Sequence, residues 1–151
     1  MNERKRLERM GAAADASDAI VATLSARLDA LLASWQLAIQ AQRKASPATD
    51  AKPRAPADVL ADLQRELEGL EHHVAELRYE VDTESQSAKN WEQRAMIALR
   101  DSREDLAKQA LHQQQQHANA AAVQESEAIE LEAVRDAYRN AVAAVQASLE
   151  R

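Results

Sequence analysis

The fold of this chain is decided by residues 90–111, which read NWEQRAMIALRDSREDLAKQAL. Apolar residues recur at helical spacing at both ends of this stretch, namely Trp91, Ala95 and Leu99 before its middle and Leu106 and Ala110 after it. Residues 100–105 between them are polar, and Ser102 followed by Asp105 has the spacing of a capping box. These features predict a helical hairpin with its tip near 101–102. One unbroken helix is the alternative, because no Gly or Pro forces a turn here.

Apolar residues on both sides of the tip predict the seam of the hairpin. In residues 57–100 they alternate three and four apart, as in a coiled coil, and a fold-back near Ser102 brings a second series in residues 103–151 opposite them. The predicted seam consists of Leu60, Leu63, Leu67, Leu70, Val74, Leu77, Leu131, Val134, Tyr138, Val142 and Val145. In this register Leu67 meets Tyr138. The polar stretch 83–90 also meets 115–122, a coincidence that an unbroken helix does not explain. The same contacts made between two chains, as in a domain-swapped dimer, remain an alternative.

Three segments precede the hairpin. Residues 1–14 are predicted to form a frayed basic arm, residues 15–45 an amphipathic helix, and residues 46–56, which contain all three prolines, a linker. One apolar stripe of the amphipathic helix is predicted either to insert at a lipid surface or to pack on the hairpin. The stripe consists of Ile20, Leu24, Leu28, Leu31, Leu32, Trp35 and Ile39.

The composition predicts long helices that meet along a thin seam. The chain has 151 residues, only two Gly, no Phe and 3% aromatic residues, which is unlike a compact globular core. We therefore expect an all-α protein: a long antiparallel coiled-coil helical hairpin preceded by an amphipathic helix and a Pro-containing linker. Because a two-helix hairpin buries little apolar surface, we also expect self-association into an oligomer or polymer.

Several functional classes are disfavoured by the residues themselves. A net charge of −6 argues against nucleic-acid binding, and the absence of Cys removes disulfides and thiolate catalysis. No Gly-rich phosphate loop is present, and the four His lack the spacing that places two imidazoles on one helix face. No apolar run is long enough for a membrane span. The sequence therefore predicts no enzyme activity, no cofactor and no metal site.

The tip stretch resembles the phage-shock protein A (PspA) family, a bacterial branch of the ESCRT-III membrane-remodelling superfamily. The similarity lies in the segments Trp91–Ala95, Ala98–Leu99, Arg103–Ala107 and Ala110–Leu111. In the family this region is the tip of a helical hairpin. The resemblance assigns tip positions to Trp91, Arg103, Glu104, Asp105 and Leu106.

The resemblance implies a membrane-stress protein that self-associates through its hairpin and binds the inner membrane peripherally, on the cytoplasmic side. Its expected partners are copies of itself and an anionic membrane surface, the latter through the amphipathic helix. The second hypothesis is a soluble coiled-coil regulator. In the PspA family the hairpin inhibits a AAA+ activator of sigma-54 transcription, so such an activator, or another PspA-family protein, is the expected partner. The chain stops at Arg151, before the family's further helices, and this keeps the second hypothesis open.

Overall fold

The computed structural model describes residues 3–44 and 55–150, and the side chains of residues 18–43 and 55–150. These residues form three α-helices and no strand. The helices are α1 (Glu3–Lys44), α2 (Pro56–Arg100) and α3 (Glu104–Leu149). The predicted all-α class and helical hairpin are therefore confirmed, and the alternative of one unbroken helix through residues 90–111 is wrong.

Helix α1 begins at Glu3, well before the amphipathic segment that was predicted to start at residue 15. Most of the expected basic arm is thus helical. The physical reason is its composition: Glu, Arg, Lys, Leu, Met and Ala are strong helix formers, and Gly11 alone does not end a helix. Most of the predicted linker lies outside the described residues. At its end the carbonyl of Ala55 accepts hydrogen bonds from the backbone N–H of Asp58 (2.9 Å) and Val59 (3.3 Å), so α2 begins with Pro56 in its first turn.

The turn between α2 and α3 is a Schellman motif. Ser102 has a φ of 58°, in the left-handed region. Its N–H donates to the carbonyl of Leu99 (3.1 Å), and the N–H of Arg103 donates to the carbonyl of Ala98 (2.8 Å). Arg103 then accepts the first hydrogen bond of α3, from Ala107. The predicted capping box is therefore wrong, because Ser102 closes α2 and Arg103, one residue later, stands at the N-cap of α3.

The chain divides into two compact units. We call the unit that contains His73–Ile129, with α1 up to Ala14, the tip unit, and the unit that contains Asp15–His72 and Glu130–Arg151 the base unit. The base unit has a core of large side chains; Val59, Leu63, Tyr138 and Val145 are its largest fully buried ones. The tip unit buries mostly alanines along its seam, namely Ala88, Ala95, Ala98, Ala107, Ala110, Ala121 and Ala128. Several of its larger apolar side chains are exposed to solvent instead.

Candidate interaction surfaces

Tyr138 joins three helices within the base unit. Its side chain is fully buried, and its hydroxyl lies 2.6 Å from the Glu66 carboxylate of α2 and 3.1 Å from the Leu24 carbonyl of α1. Arg27 of α1 lies 3.9 Å from the same carboxylate. Burial raises the pKa of Tyr138, and the hydrogen bond to Glu66 and the negative charge of that carboxylate raise it further, so the phenol is kept neutral. We call this arrangement of Tyr138, Glu66, Leu24 and Arg27 the base clasp.

The apolar stripe of α1 is partly covered in the base unit. Leu28 is only 8% exposed, whereas Ile20 is 45% exposed. The remaining members of the predicted membrane-binding set are half-buried: Leu24, Leu31, Leu32, Trp35 and Ile39. The indole N–H of Trp35 is buried and has no acceptor among the described residues. Packing on the hairpin, one of the two predicted fates of this stripe, is therefore the arrangement that the base unit adopts.

The seam residues lie where α2 and α3 face each other. Nine are buried, and Leu60 and Leu67 are half-buried. In the base unit, the contact of Tyr138 with Glu66 lies one residue from the predicted pairing with Leu67. In the tip unit, Arg78 donates two hydrogen bonds of 2.8 Å to Glu125. Within the tip unit, Arg78 contacts Glu125 and Glu84 contacts His117, so residues later in α2 face residues earlier in α3, as an antiparallel pair requires.

The polar part of the seam is held by an ionisable pair. Glu84 accepts a hydrogen bond of 2.5 Å from Nδ1 of His117, and both side chains are about two-thirds buried. Gln124, close by on α3, donates to Glu80 at 3.3 Å, while its own carbonyl oxygen is buried without a partner among the described residues. The contact between Glu84 and His117 brings the stretches 83–90 and 115–122 together, as the predicted register requires.

Three of the five predicted tip residues, Trp91, Arg103 and Leu106, line an open groove. Trp91 is half-buried, and the guanidinium of Arg94 stacks 4.6 Å from the centre of its indole ring. Arg103, Glu104 and Asp105 are exposed at the turn and at the start of α3. The groove has a volume of about 310 Å³, and its lining includes Trp91, Arg94, Ile97, Arg103, Leu106 and Gln109. We call it the tip groove.

Exposed apolar side chains of the tip unit were missed by the sequence analysis. Around the turn they are Met96, Ile97, Leu99, Leu106 and Leu111. Leu106 was predicted at the tip, and Leu99 was expected to continue the seam with Trp91 and Ala95, but Leu99 is 57% exposed and Ala98 is buried in its place. Tyr79, farther back on α2, is 74% exposed. The signal was present in the sequence, because Met96 and Ile97 fall outside the spacing of Trp91, Ala95 and Leu99 and so could not join the same seam.

Within the part of the chain that the structure describes, no helix combines the length and the apolar character needed to cross a bilayer. The same residues contain no cluster of three or more His, Asp or Glu side chains placed to hold a metal ion. The surfaces that remain as candidates are the α1 stripe and the tip unit.

Comparison with models of known protein families, with curated proteins and with solved structures finds no match for this chain.

Proposed function

We propose that this protein is a non-enzymatic, PspA-like hairpin protein that self-associates through its hairpin and binds the cytoplasmic face of the bacterial inner membrane as a peripheral protein. Its action would be mechanical: the hairpins associate with one another while α1 contacts lipid. The observation that carries the proposal is the distribution of apolar side chains. Alanines make up most of the buried seam of the tip unit, and five large apolar side chains near the turn are exposed.

Self-association is supported by the tip unit. Five large apolar side chains are exposed within residues 96–111, close to one another in sequence and on both arms of the turn. Exposed apolar groups that cluster in this way are typical of protein or membrane contact sites, whereas single exposed ones are ordinary. Contact with further copies would bury these side chains against other apolar groups.

Membrane binding is supported by the stripe on α1. The stripe is apolar along its length, yet the buried N–H of Trp35 has no acceptor among the described residues. A tryptophan at a bilayer surface buries its ring and keeps its N–H near polar headgroups. Because Leu28 is buried in the base unit, lipid binding by this stripe requires that α1 leave the hairpin. Binding is then expected to be reversible and to need anionic lipid.

The two tryptophans, Trp35 and Trp91, give the decisive experiment. The Trp91→Phe variant leaves Trp35 as the only indole, and the Trp35→Phe variant leaves Trp91. Each is mixed with anionic liposomes that contain a brominated, fluorescence-quenching lipid. We expect quenching of Trp35 and little quenching of Trp91, and we expect deletion of residues 1–45 to abolish co-sedimentation. Quenching of Trp91 alone would place the lipid contact at the tip and contradict the proposal for α1.

A soluble regulator is the second candidate, and the tip groove is the observation that favours it. Trp91, Ile97 and Leu106 give the groove an apolar floor next to the guanidinium groups of Arg94 and Arg103. A groove of this kind suits a protein segment that carries an apolar residue beside an acidic one, such as a segment of a AAA+ transcription activator. A protein that never pellets with liposomes and stays small on size-exclusion chromatography would favour this candidate.

A further inference from the structure

The tip groove combines apolar surface with positive charge. Its apolar lining is provided by Trp91, Ile97 and Leu106, and Ile97 is 56% exposed. A neighbouring concavity shares Trp91 with the groove and is lined by Lys108. Together the two are lined by three basic side chains, Arg94, Arg103 and Lys108, and by one acidic side chain, Asp101. The chemistry that fits this surface is an apolar or aromatic side chain flanked by carboxylates.

The same unit presents that chemistry elsewhere on α2. Tyr79 is the most exposed of the large apolar residues, and Glu76 and Asp82 lie three residues before and after it. At this spacing all three side chains share one side of the helix, and all three are exposed. We call Glu76, Tyr79 and Asp82 the Tyr79 patch. An exposed aromatic ring flanked by acidic side chains matches the tip groove in apolar character and in charge.

We propose that the tip groove of one copy of this chain binds the Tyr79 patch of a second copy. The ring of Tyr79 would lie against Trp91 and Ile97, and the carboxylate of Asp82 would face the guanidinium groups of Arg94 and Arg103. This inference rests on the proposed self-association and names the two surfaces that make it. The occupant is a second copy rather than lipid, because residues 90–111 contain four acidic and four basic side chains and would be drawn only weakly to anionic headgroups.

The contact must form between chains. Tyr79 and Ile97 lie on the same continuous helix, where eighteen residues separate them by about 27 Å. Two copies can make the contact twice and reciprocally, as a two-fold dimer, or copies can repeat it head to tail. Repeated head to tail, it produces a ring or an open chain, and an open chain keeps one groove and one patch unoccupied at its ends.

Crosslinking tests the pairing directly, since the chain has no native Cys. Thr83→Cys places a thiol one turn from Tyr79, and Gln109→Cys places one in the lining of the groove; both side chains are exposed. The two single-cysteine proteins are mixed with a short bis-maleimide reagent. We expect the mixed dimer to form faster than either symmetrical dimer. Preferential linkage of Gln109→Cys to itself would overturn the proposal in favour of a symmetrical tip-to-tip contact.

Charge reversal and side-chain truncation test how strongly the contact contributes to self-association, which is measured by sedimentation velocity. Arg94→Glu and Asp82→Arg should each weaken self-association by about tenfold, and the double variant should recover much of the loss. Tyr79→Ser should weaken it by a similar factor. The matched control is Leu37→Ser, which removes another exposed apolar side chain (63%, against 74% for Tyr79) from the base unit and should have little effect.

The outcomes separate this inference from the proposed function. Self-association that persists unchanged in Arg94→Glu and in Tyr79→Ser would overturn the inference alone. A wild-type protein that stays monomeric at every concentration tested would overturn the proposed self-association and the inference with it. Circular dichroism of each variant should match the wild type, because all the substituted side chains are exposed.

Discussion

The hydroxyl of Tyr138 donates a hydrogen bond of 2.6 Å to the carboxylate of Glu66, and this bond ties α3 to α2 at the place where α1 also arrives. Burial of the phenol, and then the neighbouring carboxylate, raise the pKa of Tyr138 above its ordinary value of about 10. The positive charge of Arg27 lowers the pKa of Tyr138, but its effect is smaller. The base clasp therefore depends on a protonated Tyr138.

Removal of this hydroxyl should destabilise the base unit. A hydrogen bond to a charged group contributes more than a neutral one, so Tyr138→Phe should lower the free energy of unfolding by about 1–3 kcal/mol in urea titrations. Because the folded pKa lies above the unfolded one, the stabilisation is intact below about pH 10 and is lost as the pH rises through the folded value. Tyr138→Phe should lack this alkaline loss. Tyr79→Phe, at an exposed ring, should retain it, and an identical pH profile for both variants would contradict the assignment to Tyr138.

Adjacent residues on α2 should respond very differently to a change of charge. Leu70 is buried in the seam of the base unit, whereas Glu71 is exposed and makes a surface ion pair of 3.1 Å with Arg139. Leu70→Asp puts an unpaired carboxylate into the seam and should cost about 3–5 kcal/mol. Glu71→Gln should change stability by less than about 1 kcal/mol. Thermal melts followed by circular dichroism measure both, and similar shifts would show that the seam has been assigned to the wrong face.

Replacement of Ser102 by glycine should stabilise the turn between α2 and α3. Ser102 adopts a φ of 58°, a conformation that costs an L-residue about 1–2 kcal/mol relative to Gly. Ser102→Gly removes this cost but gives the unfolded chain more freedom, worth about 0.4–1 kcal/mol in the other direction. The net expectation is a gain of up to about 1 kcal/mol in the free energy of unfolding. Ser102→Ala keeps the strained backbone and is the control, so an equal gain from alanine would show that backbone strain is not the cause.

Loosening the base clasp should strengthen membrane binding, if α1 leaves the hairpin to reach lipid. Tyr138→Phe removes the hydrogen bond to the Leu24 carbonyl, so a larger fraction of this variant should pellet with anionic liposomes. Arg139→Gln removes a contact of the base unit that involves α2 and α3 but not α1, and it should leave pelleting unchanged. Equal pelleting of the wild type and Tyr138→Phe would indicate that release of α1 does not limit binding.

The hairpin could be predicted from the sequence because two independent patterns agreed, namely the interruption of the apolar spacing and the matching of the polar stretches 83–90 and 115–122. The apolar spacing stopped at residues 100–105, and α2 and α3 end and begin at Arg100 and Glu104. The role of Ser102 could not be predicted in the same way. A serine three residues before an acid fits a helix start, but its φ decides whether it closes one helix or opens the next, and spacing does not encode φ.

The surface that covers the α1 stripe could not be predicted from the sequence either. Periodicity shows that Leu24 and Leu28 share a face, but it does not say whether lipid or protein covers that face. The contact that decides the matter in this fold involves the backbone carbonyl of Leu24 and the hydroxyl of Tyr138, and neither group contributes to an apolar pattern. Likewise, the tip groove depends on how α2 and α3 approach each other across alanines, which no local pattern records.

The hydrogen bond between Glu84 and His117 limits how α2 and α3 can slide past each other. A seam built largely of alanines is nearly the same after a slide of one heptad, about 10 Å along the axis. A slide in one direction would set Glu84 opposite the buried Ala110 and His117 opposite the buried Leu77. A slide in the other direction would set Glu84 opposite Gln124 and His117 opposite Trp91, so the hydrogen bond between Glu84 and His117 is lost in either case. The polar pair thus favours one alignment of α2 and α3 in the tip unit, and with it one arrangement of the exposed side chains around the turn.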